Sequence, residues 1–292
     1  MKAFPPLAHL KNAIFITGCF VAAGCSQSED PMPPPPADLG PKLSVLDCGW
    51  LGFSDITLFG LSNDESPVRE MFVPCYLIEH KGKKMIWDFG LPPNIVGAGV
   101  VEYVPGATMR YDVSIIDQLK TLGLEPSDID FIAPSHLHFD HAGALSLFKG
   151  STLLIQKAER DSVVDAATEN VAIDPSLFAG MEDTPTVQLE GDHDVFGDGK
   201  VVIYSTPGHT AGHQVLFIDL ENTGKVVLSG DLYHFRFSRE NQRTPEFNFS
   251  RDQTLESMER VEALLEEKDA TLWIEHDHAL ADTLKKSPAF YD

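Results

Sequence analysis

The chain has 292 residues, with 22 Lys plus Arg against 44 Asp plus Glu, a formal net charge of −22 and a hydrophobic fraction of 43%. That apolar content excludes a disordered or collagen-like chain, and the length fits one large domain or two small ones. So large a carboxylate excess repels phosphate backbones, whose binding draws its affinity from Lys and Arg, and argues against nucleic acid as a partner.

Residues 1–24 differ from the rest. Lys2 and Lys11 flank an apolar run from Ala13 to Ala23, too short for a membrane span of about 20 residues and of the length of a signal peptide. The small residues of Val21-Ala22-Ala23-Gly24 before Cys25 resemble the lipobox of bacterial lipoproteins, which makes Cys25 the lipidated first residue of the mature chain. Ala22 stands where lipoboxes usually carry Leu, and Ile16-Thr17-Gly18-Cys19 is the competing match. Residues 25–41, with Pro31 and Pro33 to Pro36, read as a semi-extended tether. The expected location is the periplasm or cell envelope, with membrane contact only through the N-terminal lipid. Cys48 and Cys75 fall in core strands and read as two buried thiols rather than a bridge.

Residues 42–292 show no repeat or linker and read as one domain of about 250 residues. Lys42 to Leu46, Val73 to Glu79 and Lys83 to Asp88 are predicted strands, the last two joined by the turn His80-Lys81-Gly82; consecutive short strands of this kind suggest an antiparallel sheet edge. Ser114 to Leu122 spaces Ile115, Ile116, Leu119 and Leu122 as a helix that Gly123 stops. Phe131 to Ala133 is a short buried strand feeding a histidine cluster, after which a helix is expected from about Ala142. Thr152 to Gln156, Val201 to Ser205, Gln214 to Asp219 and Lys225 to Ser229 are further strands, with Asn222-Thr223-Gly224 as a hairpin turn. Asp252 to Glu267 sets Leu255, Met258, Val261 and Leu265 on one helical face, and Thr271 to Glu275 is the last strand. Hairpin sheets with amphipathic helices covering their outer faces give a layered α/β architecture.

The chemistry concentrates in His136-Leu137-His138-Phe139-Asp140-His141. Side chains two apart in extended chain point the same way, so His136 and His138 converge, while the turn into a helix swings Asp140 and His141 to an adjacent point. Neutral imidazole and carboxylate suit Zn²⁺ and similar ions, and two such groups side by side make a dinuclear site. One cluster cannot fill two coordination spheres. Further candidates stand at other strand ends: His209 in Thr206-Pro207-Gly208-His209, Asp231 after Ser229-Gly230, and His276 after Ile274-Glu275.

These residues resemble the metallo-β-lactamase superfamily, whose H-x-H-x-D-H motif is met by His136, His138, Asp140 and His141. Longer stretches resemble its N-acyl homoserine lactone lactonase-like group: Val73 to His80, Trp87 to Pro92, Ser135 to Gly143, Thr206 to Gln214, Ser229 to Tyr233 and Trp273 to Asp277. The resemblance implies an α/β fold, a four-layer αβ/βα sandwich with two divalent ions, of which Zn, Fe, Mn and Co all suit N and O ligands. It implies that His136, His138 and His209 bind one ion, Asp140, His141 and His276 the other, and that Asp231 bridges both. The implied activity is lactone ring opening by a hydroxide shared between the ions, most plausibly on N-acyl homoserine lactones (quorum quenching). The family pattern carries a catalytic Tyr three residues after the bridging Asp. Here that position is His234, and Tyr233 lies one residue earlier, so Tyr233 is the expected oxyanion donor or substrate contact and His234 its competitor.

Several residues carry blander readings. His213 is expected to support the site rather than bind metal. Asp277 either orients a ligand or is an ordinary strand-end residue, and His278 reads as solvated. Asp88 either bonds a metal-binding imidazole or is a turn aspartate. Segments 50–71 and 92–111 hold Phe53, Phe59, Val100, Val101 and Met109, which either line an acyl-chain channel or pin their loops to the core. Rival activities on the same site are hydrolysis of other esters, β-lactams or organophosphates; a rival of another class is a lipoprotein that binds metal or ligand without turnover.

Overall fold

A computed structural model describes residues 40–166, 174–178 and 180–292. The expected signal peptide, Cys19, Cys25 and the tether as far as residue 39 lie outside the described residues. No described helix is long and apolar enough to cross a membrane.

The first half contributes β1 (Lys42–Phe53), β2 (Glu70–His80), β3 (Lys83–Trp87), β4 (Val101–Val104), β5 (Ala107–Arg110), β6 (Phe131–Ala133), β7 (Thr152–Gln156) and β8 (Thr186–Leu189). They form one sheet in the order β4-β5-β1-β2-β3-β6-β7-β8. The second sheet joins β9 (His193–Asp194), β10 (Val201–Ser205), β11 (Gln214–Leu220), β12 (Gly224–Leu228) and β13 (Ala270–Trp273) in the order β13-β12-β11-β10-β9. The β1-β2-β3 meander, expected at a sheet edge, is central: β5 and β4 extend it on one side and β6 on the other. The β4-β5 hairpin that covers it comes from a segment whose Gly and Pro content hides two four-residue strands.

Strand alternation sorts the core into layers. On β2, Val73, Cys75 and Leu77 face one cluster with Ile115 and Leu119 of α1 (Ile115–Thr121), while Tyr76 and Ile78 face the other way, packing with Ile203, Leu216 and Val226 of the second sheet. That sheet's outer face sets Val215, Phe217 and Val227 against Met258, Val261 and Leu264 of α5 (Arg251–Lys268). Helix, sheet, sheet and helix follow in sequence, the αβ/βα sandwich. The helix caps are local: Ser114 Oγ accepts from the Asp117 N–H at 3.0 Å, and Ser250 Oγ from Gln253 at 3.3 Å. The remaining described α-helices are α2 (Phe139–Ala142), α3 (Lys157–Ala166), α4 (Arg236–Glu240) and α6 (His278–Ala281). α2 starts at Phe139, three residues earlier than expected, so Asp140 and His141 are already helical.

Cys48 and Cys75 are bonded, with Cα atoms 5.7 Å apart, which corrects the expectation of two thiols. The register sets Leu46 opposite Cys75, with Cys48 two residues on beside a register shift between Asp47 and Trp50; strand pairing of this kind is not visible in the two-residue period of either strand alone.

Candidate metal centre

The site lies where strands from both sheets end. β6 runs through Pro134 and Ser135 into His136, β10 leads to His209, β12 to Asp231 and β13 to His276. Each strand holds its successor loop by ladder bonds, so residues remote in sequence arrive at one point. All seven candidates are buried, His136 completely and Asp140, the least so, at 6% exposure. Burying that many imidazoles and carboxylates is costly unless they share a partner.

They form two groups. His136 Nε2, His138 Nδ1 and His209 Nε2 lie 2.9–3.1 Å from one another, and Asp231 Oδ2 is 3.2 Å from His209 Nε2. His141 Nε2 and His276 Nε2 are 3.3 Å apart, with Asp140 Oδ2 at 3.5 Å from His276. Asp231 Oδ1 faces this second pair at 3.0 and 2.9 Å. The two oxygens of Asp231 are therefore divided between the groups.

The outer ring nitrogens decide what the inner ones offer. His276 Nδ1 lies 2.7 Å from the Phe72 carbonyl, an acceptor only, so it carries the proton and leaves Nε2 a lone pair. Asp88 Oδ2 at 2.8 Å imposes the same state on His141, and Asn248 Oδ1 at 3.0 Å on His209. In that tautomer the Nε2 lone pairs of His141, His209 and His276 converge on the site, and Asp231 Oδ1 is a buried oxygen without a hydrogen bond. Convergent imidazole and carboxylate acceptors of this kind fit divalent cations.

The charge distribution agrees. Burial, then the neighbouring imidazoles, hold His136 and His138 well below the ordinary histidine range, hence neutral and ligand-ready. Burial also acts against the charged forms of His141 and His276, but Asp231 outweighs it and raises both, aided at His141 by Asp88. Asp231 itself, despite burial, is held well below the usual carboxylate range by His141, His234 and His276. Positive charge is drawn to the place where a cation fits.

A metallo-beta-lactamase superfamily profile matches residues 68–268. The chain belongs to the metallo-beta-lactamase superfamily. It is 31% identical over 242 residues to the N-acyl homoserine lactonase AttM of Rhizobium radiobacter, an alignment covering 76% of this chain and 88% of that one. It is 30% identical over 210 residues to the N-acyl homoserine lactonase AiiA of Bacillus thuringiensis subsp. kurstaki, covering 70% and 80% respectively. Among solved structures it resembles an N-acyl homoserine lactone hydrolase with the product N-hexanoyl-L-homoserine bound at its catalytic metal center, with a TM-score of 0.72 and 25% identity over 86% of this chain and 99% of that one.

One expected superfamily residue is displaced. The Tyr233 hydroxyl donates to Glu262 Oε1 at 2.9 Å, and its ring packs with Met258 and Val261 of α5, away from the metal groups. This corrects its assignment as a substrate contact. The chain is extended at Tyr233, with φ −137° and ψ 127°, so residues 233 and 234 point to opposite sides. His234 is the one that enters the site: its Nε2 lies 3.1 Å from Asp231 Oδ2, and its ring is 5.2 Å from that of His209.

The supports are partly those expected. Asp88 accepts from the Ser135 N–H at 2.5 Å and from His141, so the imidazole-bonding reading holds; its φ of 56° is a left-handed conformation uncommon outside glycine. His213 Nε2 accepts from the Asp231 N–H at 2.9 Å, which spends the lone pair a metal would need. At Gly230, with φ +47°, a Cβ would lie 2.7 Å from His213 Nε2 and 2.8 Å from Ser135 Cβ, so only glycine permits this approach. Asp277 orients no ligand: it caps α6 at Ala279 and pairs with Arg236. His278 stands against Trp50 at the surface.

Sequence reasoning missed three supports. Asn248 fixes His209 from a loop without periodicity. Glu275 accepts from Trp87 Nε1 at 3.1 Å and the Gly230 N–H at 3.0 Å; burial, then Asp88, push its carboxyl well above the usual range. Glu159, in the first turn of the unpredicted α3, bonds the backbone at Leu137 and Gly212. Of the candidate channel residues, Phe59 lies 4.9 Å from the His234 ring and 5.9 Å from that of Phe247. Phe247 is 40% exposed and stands 5.7 Å from His209. Met109 is core and Val100 is exposed.

Proposed function

We propose that the protein is a dinuclear metallohydrolase that opens the ring of N-acyl homoserine lactones. The observation that carries this reading is the division of the Asp231 carboxylate between two imidazole groups, in a chain about 30% identical to proteins named as lactonases. His136, His138 and His209 would hold one ion, Asp140, His141 and His276 the other, with Asp231 shared. Two divalent ions, with zinc the first choice for this ligand set, supply Lewis acidity for a carbonyl and lower the pKa of water toward neutrality.

The chain's own residues do the rest. Asp88, Asn248 and the Phe72 carbonyl hold the outer ring protons of His141, His209 and His276, which leaves their inner nitrogens to serve as ligands. His234, kept below its ordinary range first by burial, is neutral, and its Nε2–H is positioned to donate to an oxygen of the substrate in place of the family's tyrosine. Phe59 and Phe247 exclude water beside the reacting centre and offer apolar surface to an acyl chain.

We further propose that the enzyme is exported and tethered through Cys25. The charged and apolar regions of residues 1–24 support this, as does the Cys48–Cys75 bond, since such bonds persist in oxidising compartments.

The test is kcat/KM of purified, metal-analysed protein on N-acyl homoserine lactones, aryl esters and a chromogenic cephalosporin. Preference for the lactones with a longer acyl chain is expected. A clear preference for the cephalosporin removes the lactonase reading, and two bound ions with no turnover of any of them leaves a binding protein.

A further inference from the structure

The His136–His138 pair and His209 come from different loops on different sheets, and nothing covalent fixes the distance between them. Glu159 spans that gap. The residue is 1% exposed; Oε1 accepts the N–H of Leu137, the residue between the two histidines, at 2.9 Å. Oε2 accepts the N–H of Gly212, three residues beyond His209, at 2.8 Å. The approach is close enough that a Cβ at Gly212 would sit 2.3 Å from the Glu159 backbone nitrogen. Gln214 also joins the sheets, through the Pro134 carbonyl at 2.9 Å, but it does so from the first residue of β11 to a residue that precedes His136. Only Glu159, among the described residues, bonds both ligand-bearing loops with one rigid group.

The second metal group is held differently. His141 and His276 rest on Asp88 and the Phe72 carbonyl, and neither contact passes through Glu159. We infer that Glu159 is a positioning residue for one half of the centre: it sets the separation of His136 and His138 from His209, and with it that half's affinity for its ion. The inference rests on the dinuclear reading above.

Glu159→Gln keeps one acceptor oxygen and turns an amide N–H₂ toward the other backbone N–H, so one loop is released while volume and burial are preserved. The experiment is competition of the full chain against a chelator for two equivalents of Zn²⁺, with absorption spectra of the Co²⁺-substituted protein. Loss of an orienting group outside the ligand set typically weakens metal binding about 10–100-fold, and that loss is expected for one equivalent only. The other should stay within about twofold, its retention and a native near-UV circular dichroism spectrum reporting an intact fold, with an altered Co²⁺ spectrum. Glu159→Asp, which keeps both oxygens one methylene short, is expected to fall between wild type and Gln and serves if the Gln variant does not fold. Two equivalents held as in wild type with an unchanged spectrum, or both weakened equally, overturn the inference. Wild-type protein that binds fewer than two ions overturns the dinuclear reading instead.

Discussion

Asp231 Oδ2 and His234 Nε2 meet at 3.1 Å, on the opposite side of the chain from the Tyr233 hydroxyl and its bond to Glu262. The imidazole of His234, and not the phenol of Tyr233, therefore stands at the metal groups. The consequence is measurable. His234→Ala removes a donor aimed at the reacting centre and should lower kcat about 10²-fold, with both ions retained. Tyr233→Phe should leave kcat within about twofold and lower stability by about 1 kcal/mol through the lost bond to Glu262. Steady-state kinetics and thermal melts of the two variants separate these roles; the reverse pattern would return the catalytic role to Tyr233.

Asp231→Asn tests the shared carboxylate. Asn offers one acceptor oxygen and no charge, while Oδ1 and Oδ2 now face different imidazole groups. Both equivalents of metal should bind more weakly, and activity should fall with them. Metal analysis after gel filtration is the measurement, and full occupancy of both positions in the variant would refute the bridging assignment.

The Cys48–Cys75 bond closes a loop with a sequence separation of 27. Loop closure of that length restricts the unfolded chain by about 3–4 kcal/mol on the chain-entropy account. The Cys48 carbonyl also accepts from Leu91 at 3.1 Å, just beyond Asp88, so the bond braces the turn that supports His141. Reduction, or paired Cys48→Ala and Cys75→Ala substitution, should lower the urea midpoint by a corresponding amount. Two free thiols in the native purified protein would contradict the pairing.

How much of this was legible follows from what each residue answers to. Metal chemistry restricts residue type, so His136, His138, Asp140 and His141 stand out in six positions, and the strand ends before His209, Asp231 and His276 are marked by apolar runs. Direction within a loop is not so marked. Whether Tyr233 or His234 faces the metals depends on the backbone angles after Asp231, and that Cys48 meets Cys75 depends on the register that sets Leu46 opposite Cys75. Supports are least legible of all: Glu159, Asn248 and Glu275 are ordinary polar residues in sequence, and their work is defined by partners up to 188 positions away. β4 and β5 escape notice for another reason: each is four residues long, and they are held by β5 pairing with β1 and β4 with β5.

At the far end of β2, His80 Nε2 bonds Asp198 Oδ2 at 2.7 Å, and Lys81 Nζ reaches the same oxygen at 2.9 Å, joining the first sheet to the loop that enters β10. Burial opposes the Asp198 charge, but the bonds from His80, Lys81 and the Lys200 N–H outweigh it and hold the carboxyl well below the usual range. A carboxyl with a folded pKa below its unfolded value of about 3.9 stabilises the fold at higher pH, and that contribution fades as pH drops toward the folded value. Asp198→Asn should therefore cost about 1–2 kcal/mol at pH 7, and the difference between variant and wild type should shrink as pH falls below about 4. Metal loss at acid pH affects both proteins alike, so the difference isolates this contact. Urea unfolding of both proteins at several pH values checks it; a difference that stays constant down to the acid limit would mean that the Asp198 charge contributes nothing.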